Sequence, residues 1–152
     1  MIRIAVIIGS TRPGRNGEAV AKWVYEIARK RSDAEFELVD IKDFNLPLLD
    51  EPVPPSLGQY TKEHTRVWAA KIDSFDAYVF VTPEYNHGIS GALKNAIDFL
   101  FKEWNNKAAG FVGYGGAMGV RGGASASGDG RVAGRRRARS GRAFTFYGLR
   151  EL

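Results

Sequence analysis

The chain has 152 residues, 44% hydrophobic and 26% charged, the balance of one globular domain long enough to bury a core. It has no cysteine and only two histidines, His64 and His87, which excludes disulfides and a thiolate nucleophile and leaves no basis for a metal site. Its net charge of +5 is uneven: residues 1–121 balance fifteen Lys and Arg against fifteen Asp and Glu, whereas 122–152 set seven arginines against Asp129 and Glu151. The body of the chain therefore makes no electrostatic case for nucleic acid.

Ile2 to Ile8 is a nearly continuous run of apolar, mostly β-branched residues, which suits a strand buried on both faces. No leader of basic, apolar and small residues precedes it, and no apolar run reaches the ~20 residues that span a bilayer. A cytoplasmic protein without a membrane segment is expected. Gly9 to Gly17 is a polar loop punctuated by glycine, after which Ala19, Val20, Trp23, Val24, Ile27 and Ala28 recur at helical spacing. Phe36, Leu38 and Val39 form a second strand ending at Asp40. From Asn45 to Gly58 the chain carries Pro47, Pro52, Pro54 and Pro55 and reads as a surface loop. A helix is predicted over 61–72, a third strand over 76–82 and a loop over 83–90. Ser90 is placed to cap the next helix, whose apolar face runs from Ala92 to Phe101. Ala108 to Tyr114 reads as a fourth strand entering Gly115, Gly116 and Gly119. Strand, loop and helix alternate, so the fold class is α/β with a parallel sheet and right-handed crossovers. Ligands of such sheets sit beyond the carboxyl ends of the strands. The chain's three unusual loops follow strands one, three and four.

The first of these loops reads G-S-T-R-P-G-R-N-G. Backbone N–H groups, the hydroxyls of Ser10 and Thr11, and the charges of Arg12 or Arg15 can converge there on an anion at a helix start. It is neither a Walker A loop nor the dinucleotide G-x-G-x-x-G. A plain βα turn with solvated arginines is the alternative. The second loop reads P-E-Y-N-H-G-I-S-G. Tyr85 and His87 offer flat surfaces for a ring, and the backbone amides from Glu84 to Gly88 could bond its polar edge.

Together, G-S-T-R-P-G-R-N-G and P-E-Y-N-H-G-I-S-G-A-L-K-N-A-I-D resemble the NADPH-dependent FMN reductase family, whose members include quinone, azo-dye and chromate reductases. The resemblance covers about residues 2–121. It implies a flavodoxin-like, doubly wound parallel sheet with strand order 2-1-3-4-5. By the same resemblance, Ser10, Arg12, Arg15 and Asn16 hold the FMN phosphate, and Pro83, Glu84, Tyr85, Asn86 and His87 line the isoalloxazine. Gly115 and Gly116 approach the ring's far edge. The implied activity passes a hydride from NADPH or NADH through bound FMN to flavin, quinone or a similar small-molecule acceptor, in a homodimer or homotetramer. No protein nucleophile is required, consistent with the lack of cysteine and of a catalytic triad. An electron-transfer module without efficient turnover is the alternative within the same fold.

After Arg121 the pattern changes. Residues 122–152 contain seven glycines, the run Arg135-Arg136-Arg137 and no apolar helical stripe. A fifth strand and last helices are therefore in doubt, the nearest strand signal being Ala143 to Leu149. Three readings stay open. One is a shifted reading frame, since GC-rich codons read one nucleotide over can spell an amphipathic helix and a strand. The others are an RNA-binding arm and a disordered solvated tail.

Overall fold

A computed structural model of the chain describes residues 1–116, 119 and 121, and the backbone of 145–149. Four strands, β1 (Ile2–Ile8), β2 (Ala34–Asp40), β3 (Ala77–Pro83) and β4 (Ala108–Tyr114), alternate with helices α1 (Gly17–Ala28), α2 (Glu63–Asp73) and α3 (Gly91–Asp98). All strand pairs are parallel, and the sheet order is β2-β1-β3-β4, with Thr145–Leu149 lying beside β4 as β5. The β4–β5 register is irregular between Val112 and Tyr114. The crossover and last helices doubted from the sequence, like the rest of the Gly/Arg-rich segment, lie outside the described residues.

β1 is sandwiched as its apolar run predicts. Val6 and Ile8 pack with Val20 and Ala21 of α1, and Ala5 and Ile7 pack with Trp68, Ile72, Leu93 and Ile97 of α2 and α3. The second layer is rich in aromatics. The indole N–H of Trp68 donates to the Ala96 carbonyl at 2.8 Å, and that of Trp104 donates to Ile97 at 3.1 Å. Both rings thereby satisfy their polar atom in the core and fasten α3 to its neighbours.

α3 stops at Asp98, short of the apolar stripe predicted through Phe101. Leu100 N donates to Ile97 at 3.2 Å, tightening the last turn, and Lys102–Trp104 follows as a separate 3₁₀ turn. Phe99 and Leu100 are still buried, so packing preserves their apolar character where the helix does not. The proline-rich segment holds one short 3₁₀ turn, Pro55–Leu57. No helix among the described residues is long and apolar enough to cross a membrane.

Candidate active site

Parallel register brings the carboxyl ends of β1, β3 and β4 level, with Ile8 opposite Val81 and Pro83 opposite Tyr114. The first loop leaves β1 at Gly9, whose N–H extends the ladder to Val81 at 2.8 Å. A β-carbon on Gly9 would lie 2.8 Å from Leu93 Cδ2 and 2.9 Å from the Val81 carbonyl, so this close approach requires glycine. Ser10 is buried, and its hydroxyl accepts from Arg12 N at 3.4 Å. Pro13 and Gly14 (φ +67°) form the corner of a turn closed by Arg15 N donating to the Arg12 carbonyl at 3.2 Å. Asn16 precedes α1 without capping it by its side chain, whereas Ser90 caps α3 by accepting from Leu93 N at 3.1 Å. The start of α1 thus keeps N–H donors and the positive end of its dipole for an anion.

The two arginines of this loop have different situations. Arg12 is exposed, and its guanidinium has no hydrogen-bonding or ion-pair partner among the described residues. Arg15 is held beneath the loop. Its side chain is only 8% exposed, and its guanidinium donates to both carboxylate oxygens of Asp40 and to the Ser10 carbonyl. The Asp40 hydrogen bonds favour the charged guanidinium against the cost of burial and raise its pKa further. Arg15 therefore ties the first loop to the end of β2.

The second loop turns back tightly on itself. Tyr85 N donates to the Gly88 carbonyl and Gly88 N to that of Tyr85, each at 3.0 Å, with Asn86 (φ 48°) and His87 (φ 68°) both left-handed at the tip. Two positive φ values in a row define a primed turn, and neither residue is glycine. The backbone strain sits where Tyr85, Asn86 and His87 are exposed. Of the amides from Glu84 to Gly88, Glu84 N is committed to the Tyr114 carbonyl at 2.8 Å, and Tyr85 and Gly88 to each other. Only Asn86 and His87 keep uncommitted N–H groups among them, fewer than the sequence suggested.

Glu84 joins this loop to the one after β4. Its side chain is 6% exposed, it accepts from Arg121 N at 3.1 Å, and it lies 3.7 Å from the Arg121 guanidinium. A β-carbon on Gly115 would come within 3.3 Å of Glu84 Cβ, whereas Gly116 faces open space. One residue went unnoticed in the sequence. The phenol of Tyr114, at the end of β4, reaches the first turn of α1, where a β-carbon on Gly17 would lie 2.3 Å from its oxygen. Burial pushes the phenol's pKa up to about 12, with the nearby Ser10 side chain tempering the rise. A loop glycine two strands away was its only sequence signal.

An anion cradle at β1, a rigid polar tip at β3 and an open glycine edge at β4 fit the three parts of a flavin mononucleotide: phosphate, ring edge and ring face. The uncapped α1 suits a phosphate, and the uncommitted Asn86 and His87 amides suit the polar edge of the ring. Sheet order and site together define a flavodoxin-like α/β protein. The chain belongs to the NADPH-dependent FMN reductase family, whose model matches residues 2–134. It is 44% identical over 133 residues to an NAD(P)H-dependent FMN reductase of a Nectria species, covering 84% of this chain and 66% of that one. A fission yeast (Schizosaccharomyces pombe) NAD(P)H-dependent FMN reductase is 45% identical over 116 residues, or 75% of this chain and 58% of the relative. The chain thus spans two thirds or less of the length of these two relatives. Its structure is similar to that of FerB, a flavoenzyme NAD(P)H:(acceptor) oxidoreductase of Paracoccus denitrificans, with a TM-score of 0.68 and 27% identity. That similarity covers 85% of this chain and 70% of FerB.

Proposed function

We propose that the protein is an FMN-dependent NAD(P)H oxidoreductase acting on quinones or similar small acceptors, as a cytoplasmic homodimer or homotetramer. One observation carries the reading: an uncapped helix start beside the buried Ser10 stands level with a strained tip whose two amides are uncommitted. When bound, FMN supplies the ring that takes a hydride from NAD(P)H and returns reducing equivalents to the acceptor.

The chain's own residues position that ring and bias its charge. Ser10, Arg12 and Asn16, with the first N–H groups of α1, hold the phosphate, and Arg15 buttresses them through Asp40. Pro83, Glu84, Tyr85, Asn86 and His87 line the ring on one side, and Gly115 and Gly116 let it approach on the other. The Asn86 and His87 amides donate to the ring's polar edge, where negative charge grows on reduction. Both NADH and NADPH fit this reading.

The test is flavin content. The purified chain, saturated with FMN and desalted, is expected to retain one FMN per chain and to oxidise NAD(P)H when a quinone is added. A chain that takes up no FMN refutes the proposal. FMN uptake without quinone-dependent turnover reduces it to an electron-transfer module.

A further inference from the structure

We propose that the Tyr114 hydroxyl is a direct ligand of the cofactor's phosphate and makes the site select a phosphorylated flavin over the free nucleoside form. This inference rests on reading the first loop as the phosphate cradle. The phenol oxygen stands over the first turn of α1, the turn that Asn16 leaves uncapped. Its seat exists because residue 17 has no side chain, since a β-carbon there would sit 2.3 Å from the oxygen and 3.2 Å from Cζ. The glycine that closes the G-S-T-R-P-G-R-N-G motif thus makes room for a protein group at the helix start, not only for the ligand.

The chemistry of the hydroxyl suits a donor. Arg12 and Arg15 both act on it electrostatically, and Tyr85 acts against them. Burial still raises the phenol's pKa, so it keeps its proton at neutral pH. The Ser10 side chain lies close to the phenol, so the phenol stands between the first loop and the start of α1. A phosphate oxygen at the α1 N-terminus supplies an acceptor for the phenol's proton. Because β4 carries Tyr114 and its carbonyl also accepts from Glu84 N, the same residue braces the ring loop and touches the phosphate.

The test compares FMN and riboflavin affinities of the full chain by flavin fluorescence quenching. In Tyr114→Phe the ring stays and one donor goes, so the FMN Kd is expected to rise about tenfold, as for a lost hydrogen bond to a charged group. The riboflavin Kd is expected to stay within about twofold, so that the FMN preference falls tenfold. Inorganic phosphate, used as a competitor of FMN, is expected to weaken by the same factor. Gly17→Ala, which displaces the phenol, is expected to give a similar loss of preference, with no further loss in the double variant. An unchanged FMN-to-riboflavin ratio in Tyr114→Phe overturns the inference, whether both affinities hold or both fall together. A parent chain that binds riboflavin as tightly as FMN overturns the phosphate reading itself, and this inference with it.

Discussion

Deleting the Asp40 carboxylate should harm the protein more than deleting the Arg15 guanidinium, because the arginine is the drier partner. The Arg15 side chain is 8% exposed and that of Asp40 is 18%. In Asp40→Ala the cation keeps, among the described residues, the Ser10 carbonyl, Glu18 at 3.7 Å and the more distant charge of Asp43. Removing one partner of a fully buried pair costs about 3–5 kcal/mol, and these residual acceptors bring the expectation to about 2–3 kcal/mol. Asp40 also accepts from Lys42 N at 3.0 Å, capping the 3₁₀ turn Ile41–Phe44. Losing that cap adds about 1 kcal/mol. Arg15→Met keeps the apolar stem and leaves Asp40 with Lys42 N and solvent, for about 1–2 kcal/mol. Urea unfolding at pH 7 measures both, and repeating it in about 0.5 M salt separates a sheltered pair from a screened surface pair. Equal costs for the two variants, or costs under about 1 kcal/mol that vanish in salt, would refute the buried-buttress argument. Arg15→Met also bears on binding: it should weaken FMN less than Arg12→Ala, because the Arg12 guanidinium has no partner among the described residues while that of Arg15 is taken by Asp40.

Gly9→Ala forces a β-carbon against Leu93 Cδ2 and the Val81 carbonyl, at 2.8 and 2.9 Å. Such overpacking costs about 1–3 kcal/mol, or several degrees of Tm for a chain of this size; a melting curve unchanged within about a degree would count against the close approach. Glu51 supplies a pH-dependent prediction. Burial raises its pKa, but the N–H groups of Thr61 and Lys62 and the Thr61 hydroxyl, all donating to the carboxylate, outweigh that and bring it down to about 2. Its folded pKa lies below the unfolded value near 4.5, so its contribution is complete above that pH and is lost as pH falls through about 2. The unscreened shift corresponds to roughly 3 kcal/mol, and solvent screening brings it to about half. The stability gap between the parent and Glu51→Gln should therefore hold from pH 7 to 5 and close between about 4.5 and 2. A gap independent of pH would sink this assignment.

The elements most legible in the sequence were those governed by local pattern. The apolar run of β1 announced burial on both faces, and Ser90 announced a helix cap, because periodicity and capping act over a few residues. Less legible was whatever parallel pairing decides. Ile8 lies opposite Asp40 in the β1–β2 register, and only that juxtaposition sets the Arg15 guanidinium against a carboxylate. Tyr114 and Gly17 meet across the sheet, so neither residue advertises the other. At the loop tip, Asn86 and His87 adopt a turn that sequence patterns assign to Asn-Gly or Asp-Gly. The surplus amides that a linear reading credited to the ring were consumed in closing it.

Ser90 gives the site a place in the order of folding. Its hydroxyl donates to the Gly9 carbonyl while accepting from Leu93 N, binding the first loop to the start of α3 across 81 residues. That bond closes a length of chain like the one closed by pairing β1 with β3, a step slowed by loop-closure entropy. The cradle is therefore expected to be completed with that long-range closure and not before it. Flavin capture during refolding would accordingly report arrival at the finished topology, while secondary structure alone would already be present in a chain unable to hold the cofactor.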